Sequence, residues 1–253
     1  MDLGLTGKRV LVTGGTRSIG RAIVDAFVEE GATVAFCARD AGLVKERETD
    51  WRSRQARVFG TALDVIDNAA LKNWVDDFGA DGGIDHFVAN VSAFRVEDTE
   101  ESWRQSIEVD LLSTVNAVHH VRPHLEKSGA GATLTIIGTA GLVEVFGPTQ
   151  PYRSVKAALV PLVKSLAIDM APKGVRANMV SPGTILEDGN SWGRLRDNGG
   201  ERYRQMMARN PTGRMGTPQE VAACVVFLAG APASYVTGTN LIVDGAITAR
   251  VQY

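Results

Sequence analysis

Arg9-Val10-Leu11-Val12-Thr13-Gly14-Gly15-Thr16-Arg17-Ser18-Ile19-Gly20 runs from a short apolar stretch into a glycine-rich turn. Ile19, Ile23, Ala26 and Phe27 then recur at helical spacing as far as Glu30. Gly31 stands where a helix ends in a left-handed residue. The text reads strand, tight turn, helix. Glycines let the backbone come close to a bound group, and the free N–H groups and dipole at a helix start favour negative charge. In the first β-α unit of an open sheet, such a turn is where a mononucleotide phosphate sits. A glycine-rich turn also ends strands for purely structural reasons, so its meaning depends on the rest of the chain.

Working outward, apolar runs keep alternating with helical patterns. Strands are expected at Thr33–Cys37, Val58–Ala62, Ile84–Ala89, Leu134–Ile137, Ala177–Val180 and Leu241–Val243, with helices at about 41–53, 67–79, 101–127, 152–172 and 217–229. Regular alternation implies a parallel sheet with helices on both faces, and strands apolar on both sides agree with that. No repeat or linker cuts the 253 residues, so residues 1–253 are read as one domain. Residues 184–212 break the rhythm with a polar, glycine-containing text; an insertion this long reads as a lid over a site.

Composition narrows the function classes. The 44% hydrophobic and 22% charged content is ordinary for a soluble domain. Lys+Arg of 27 against Asp+Glu of 29 gives −2, which argues against nucleic acid as partner. The longest apolar stretch, Val221 to Ala231, is too short to cross a membrane. The first residues lack the basic and apolar regions of a signal peptide. Cys37 and Cys224 sit in apolar runs and read as buried free thiols, consistent with a reducing compartment. The expectation is a cytoplasmic protein. His120 and His124 have metal-compatible i,i+4 spacing, but no ligand set completes them, so no metal is expected.

Tyr152-Arg153-Ser154-Val155-Lys156 opens a helical stretch, which puts Tyr152 and Lys156 on one face. A free phenol has a pKa of about 10, and a nearby ammonium favours phenolate. Such a phenol can give a proton to a carbonyl oxygen or take one from an alcohol. Thr139 lies thirteen residues upstream, just past a strand, with Gly138 and Gly141 around it.

These texts in this order resemble the short-chain dehydrogenase/reductase family, and within it the branch of the 3-oxoacyl-carrier-protein reductases. The turn is similar to the family's Thr-Gly-x₃-Gly-x-Gly, with Ser18 in place of the middle glycine. Ser181-Pro182-Gly183-Thr184-Ile185, Gly213–Ala222, Tyr235–Gly238 and Val243–Ala246 carry the likeness on, so that it covers Gly7 to Ala246. The resemblance implies a Rossmann-like doubly wound fold with seven parallel strands in the order 3-2-1-4-5-6-7. It implies NADP(H)-dependent interconversion of a carbonyl and a secondary alcohol. Tyr152 would be the acid/base, Lys156 its pKa tuner and ribose ligand, and Thr139 the donor to the substrate oxygen. Asp110 stands where the family has Asn, and would hold a water and keep Lys156 protonated.

Cofactor contacts carry over to Gly14, Thr16, Arg17, Ser18, Ile19, Gly20, Ala38, Arg39, Asp64, Val65, Asn90, Val91, Tyr152, Lys156, Pro182, Gly183, Thr184 and Ile185. Ser18 is expected to cap the first helix and touch a phosphate. Ala38 falls where the family's NAD-selecting acid stands; Arg39 and Arg17 are cations nearby, which favours NADP(H) over NAD(H). Asp40 is the counter-argument, and Arg17 and Arg39 also read as solvated surface charges. Asp64-Val65 reads as an adenine contact, or Asp64 as the N-cap of the next helix. Val91 and Ser92 depart from the family's Asn-Asn-Ala-Gly, leaving Asn90. Phe94, Val143, Val145, Phe146, Trp192 and Met206 suggest an apolar substrate pocket, as does core packing. The arginines of 184–212 number five against four acids and predict no anionic substrate. The helices at 101–127 and 152–172 are candidate surfaces for a homotetramer. The rival is a non-catalytic NADP(H)-binding regulator or scaffold, favoured by the departures at Thr139, Asp110, Val91 and Ser92.

Overall fold

A computed structural model describes residues 2–145 and 147–251. Strand β1 (Arg9–Thr13) is followed by α1 (Ser18–Glu29), β2 (Thr33–Ala38), α2 (Ala41–Ser53), β3 (Val58–Ala62), α3 (Asn68–Ala80) and β4 (His86–Ala89). Then come α4 (Glu100–Ser106), a π-helical turn (Ile107–Leu112), α5 (Ser113–Ser128), β5 (Thr133–Ile137), α6 (Pro151–Ala157), α7 (Leu159–Met170) and β6 (Arg176–Pro182). Helices α8 (Ser191–Asp197), α9 (Glu201–Arg209) and α10 (Pro218–Ala229) precede β7 (Asn240–Val243). The seven strands form one parallel sheet in the expected order β3-β2-β1-β4-β5-β6-β7.

Successive strand residues point to opposite faces, which splits the core in two. Val10, Val12, Val34, Phe36 and Val180 pack with Ile23 and Phe27 of α1 and Val221 and Val225 of α10. Leu11, Phe87, Leu134 and Met179 face the other way, onto Trp74 of α3, Val121 of α5 and Val163 of α7. This double burial is why the strands read as continuous apolar runs. Gly31 closes α1 at φ 78°, its N–H donating to Val28 O at 2.9 Å. Thr217 caps α10 with Glu220 returning the bond and Pro218 in the first turn.

Three expectations need correction. The 101–127 helix is interrupted by the π turn, and the 152–172 helix divides into α6 and α7 at Ala158. Residues 184–212 hold two helices, the first capped by Asn190 Oδ1, which accepts from Gly193 N at 2.8 Å. Cys37 is buried and its thiol is pushed up to about 12 by that burial, but Cys224 is only half-buried. No helix among the described residues is long and apolar enough to cross a membrane.

Candidate active site

The sheet reverses its order between β1 and β4, and ligands of open α/β sheets bind at the strand ends beside such a crossover. The turn after β1 is held there by close backbone packing. Gly14 N and Gly15 N both donate to Cys37 O, at 2.8 and 3.2 Å. Gly14 has φ 74°. A Cβ on Gly20 would stand 2.0 Å from Gly14 O and 2.5 Å from Asn90 Nδ2. Asn90 ties β4 to β1: its Nδ2 donates to Thr13 O and Gly14 O, each at 3.1 Å, and its N–H to Thr13 Oγ1 at 3.0 Å.

Ser18 sits at φ 47°, the left-handed region where glycine is at ease. The expectation that its hydroxyl caps α1 is wrong. Arg17 occupies the N-cap position without a side-chain bond, and Ser18 already belongs to the helix. Arg17 Nη2 instead meets Asp40 Oδ2 at 3.4 Å. Asp40 is occupied as the N-cap of α2, accepting from Leu43 N at 3.0 Å, which weakens its claim on a ribose. Asp64 is not the cap of α3; Asp67 is, accepting from Ala69 and Ala70. Asp64 Oδ1 accepts from Ile66 N at 3.3 Å.

The reacting groups gather at the ends of β4 and β5. Pro151 starts α6, and Tyr152 N donates to Arg95 O at 3.1 Å. Phe94, held at φ 48° with its N–H on Ser92 Oγ, lays its ring edge-on to Tyr152 at 5.0 Å. Lys156 is 2% exposed and donates Nζ to Ile137 O at 2.8 Å, 5.7 Å from the Tyr152 ring centre. Asp110, on the π turn, is fully buried, and neither carboxylate oxygen has a hydrogen-bond partner. Ser92, the Ala93 amide and Ser106 lie close enough to favour its ionised form without reaching bonding geometry. Burial raises the Asp110 pKa and lowers that of Lys156; each charge opposes the shift of the other.

The expected lowering of the phenol by Lys156 is not found. Burial raises the Tyr152 pKa, the Asp110 charge raises it further, and the neighbouring Thr139 hydroxyl lowers it. The ammonium points at a backbone carbonyl rather than at the phenol oxygen. Tyr152 in this state is a protonated acid.

A cleft of about 870 Å³ joins the turn to these groups. Arg17, Ser18, Ile19, Gly20, Asn90, Thr139, Tyr152, Lys156 and Pro182 to Ile185 all line it. Gly14, Thr16, Val91 and Asp110 do not line it, and Ala38, Arg39, Asp64 and Val65 lie at the ends of β2 and β3 outside it. Thr184 Oγ1 is buried and unpartnered at the cleft wall. The Thr184 carbonyl accepts from Gly216 N at 3.0 Å, so it is already used. Of the apolar candidates, Phe94, Trp192 and Met206 line the cleft, Val143 and Val145 do not, and Phe146 lies outside the described residues. Sequence reasoning missed Ser92, Gln150, Arg153, Asn190 and Ile247 as lining residues. Only Arg153, adjacent to Tyr152, carried a usable signal. His120 and His124 bond Asn68 and Asp76 of α3, at 2.8 and 3.0 Å.

Comparison with known proteins agrees with this arrangement. The family model described as enoyl-(acyl carrier protein) reductase matches residues 14–248. The isoepoxydon dehydrogenase of Penicillium expansum is 36% identical over 257 residues, covering 100% of this chain and 99% of its own. An NADPH-bound short chain oxidoreductase from Pseudomonas aeruginosa PAO1, described as containing an atypical catalytic center, is 30% identical. It superimposes with a TM-score of 0.87 over 96% of this chain and 98% of its own. The L-sorbose reductase of Gluconobacter frateurii, complexed with NADPH and L-sorbose, superimposes at 0.90 with 26% identity, over 99% and 100%. Matched from end to end by its relatives, the chain is an oxidoreductase of the short-chain dehydrogenase/reductase family.

Proposed function

We propose that the chain is an NADP(H)-dependent carbonyl reductase that also runs as an alcohol dehydrogenase, with Tyr152 as its acid/base. The residues fit the dinucleotide. Gly14 and Gly20 leave the turn open at a helix start, and the buried, unpartnered Thr184 Oγ1 awaits a polar group at the other end of the cleft. The turn, Asn90 and Pro182 to Ile185 would hold the dinucleotide, with Arg17 and Arg39 as the cations for a 2′-phosphate. Neighbours solved with NADPH support the same choice. When bound, NADPH supplies the hydride for the carbonyl carbon.

Tyr152 donates the balancing proton to the substrate oxygen. Thr139 orients that oxygen with its hydroxyl, and its own Oγ1 is set by Gly141 N at 3.3 Å. Lys156, fixed by Ile137 O, places positive charge beside the reacting region without entering it. Asp110 keeps Lys156 charged and Tyr152 protonated. Residues 184–212 act as a lid through α8 and α9. The observation that carries this reading is the Tyr152 phenol lining the cleft beside the buried Lys156. The test is NADPH oxidation over ketones, quinones and acyl thioesters. Turnover that falls about 100-fold or more in Tyr152→Phe supports it. Tight NADPH binding with no turnover of any of them overturns it. Arg17→Ala should raise the KM for NADPH more than that for NADH.

A further inference from the structure

The cationic groups of this chain are not spread evenly around the cleft. Arg17, Arg153, Arg194, Arg202 and Arg209 line it together with Lys156, and among the described residues no Asp or Glu does. Arg17 stands at the phosphate end. The other four arginines stand at the opposite end, on α6, α8 and α9.

Three of the four acids of the 184–212 segment are drawn elsewhere. Asp188 and Asp197 both pair with Arg196, and Glu201 pairs with Arg204. Neither of those arginines lines the cleft. The near-equal count of charges in this stretch thus conceals a partial sorting: Arg196 and Arg204, which hold the segment's own carboxylates, stay off the cleft, Arg209 lines it while pairing with Glu144 at 3.0 Å, and Arg202 faces Arg153. Burial depresses the Arg153 pKa, and the nearby Arg202 charge, repelling it, lowers it further. Arg202 rests over the Trp192 ring, 5.7 Å from its centre, which fixes its plane at the cleft wall. Arg153 is braced on the other side, its Nη2 donating to Pro148 O. Two guanidiniums held near each other in a carboxylate-free recess stand in the arrangement that binds an anion by forked hydrogen bonds. Phe94, edge-on to Tyr152, and Met206 line the same cleft and offer apolar surface suited to a short carbon chain.

We infer that the substrate carries an anionic group, a carboxylate or a phosphate, which docks between Arg153 and Arg202 while its carbonyl meets Tyr152. This rests on the reductase reading above and names its substrate class. The anion relieves the repulsion between α6 and α9, so binding draws the 184–212 segment down over the reacting carbon. The reaction stays balanced as before: hydride to carbon, the Tyr152 proton to oxygen, alcohol and NADP⁺ as products.

The experiment uses the whole enzyme with NADPH and three matched ketones: an oxo acid, its methyl ester, and the corresponding oxo alkyl phosphate, at several chain lengths. An anionic ketone should exceed the ester in kcat/KM by about tenfold or more, as expected for charge-assisted bonds. The better of the two anions identifies the group. Arg202→Gln should bring the ratio towards one by raising KM for the anion alone. Arg153→Gln should do the same, and circular dichroism would show both variants folded. An ester reduced as well as the anions, or a ratio unmoved in folded Arg202→Gln, overturns the inference and leaves the reductase reading intact. Reduction of none of the three, with NADPH bound, overturns both.

Discussion

At the scale of single residues, the site departs from expectation where burial overrides a neighbouring charge. Lys156 and Tyr152 are one helical turn apart, as their spacing implies, but the phenol is raised rather than lowered. Spacing gave the shared helix face; it gave neither the depth of burial nor the direction of Nζ. Asp110 illustrates the same limit. Its carboxylate is enclosed without a bonding partner, which no motif discloses. Because its charge raises both Tyr152 and Lys156, Asp110→Asn should lower both. The pH profile of ketone reduction then loses its alkaline side at lower pH than in the parent, measured as kcat against pH. An unmoved profile would leave Asp110 a packing residue. Asn90 was legible because it follows β4 directly, which sets it beside the end of β1 that it bonds. Asn90→Ala should cost about 1–3 kcal/mol in urea unfolding, from two lost half-buried bonds. Ser18 shows why a glycine position can be read through a substitution. The backbone there takes a left-handed φ, the region where glycine is at ease.

Elements were read well wherever apolar periodicity was strong. Strand β1 and helix α1 fall where the pattern placed them, Arg9–Thr13 and, within a residue at each end, Ser18–Glu29. The π turn was hidden because widening a helix by one residue leaves a continuous helical text. Yet that turn is what carries Asp110 beneath Lys156 and Tyr152. Helices α8 and α9 were hidden for another reason: they are short and strongly polar, and although Tyr203, Met206 and Met207 share one face of α9, the polar text around them reads as a loop. Asn190 anchors this region twice, accepting from Gly193 N and donating to Ile185 O at 2.9 Å. Asn190→Ala should loosen α8 by about 1 kcal/mol, seen as faster amide exchange over residues 191–197. Substrate KM should rise while NADPH affinity stays the same. Unchanged exchange would show that α8 is held by something else.

For the whole molecule, one buried histidine sets an acid limit. His86 lies inside the sheet with Nδ1 2.8 Å from Thr133 Oγ1, and burial pushes its pKa down to about 4 from 6.5. The unfolded chain therefore takes up this proton first as pH falls. Stability is full above about pH 6.5 and drains as pH drops towards 4, by roughly 3 kcal/mol in total. Thermal unfolding midpoints across that window should show the loss, and His86→Gln should flatten it. Assembly belongs to this scale too. The proposed homotetramer would cover Ile168, 67% exposed on α7, and Leu112, 41% exposed at the start of α5. Ile168→Glu should reduce the mass measured by light scattering; an unchanged mass would place the interface elsewhere.

Alternation implied the parallel sheet, while strand order, crossover and the gathering of Asn90, Thr139, Tyr152 and Lys156 at one end of it followed from the family resemblance. The sorting of charges around the cleft did not, because a count of arginines and acids carries no direction. The claim on which the mechanism turns is that Tyr152 stands ready as a proton donor. Its most direct measurement is the rate of ketone reduction by NADPH at saturating substrate, followed from about pH 6 to about pH 9. A rate level through neutrality, and lost at every pH in Tyr152→Phe, is the predicted result. A rate already falling as pH rises through 7, or one that survives the loss of the phenol, would contradict it.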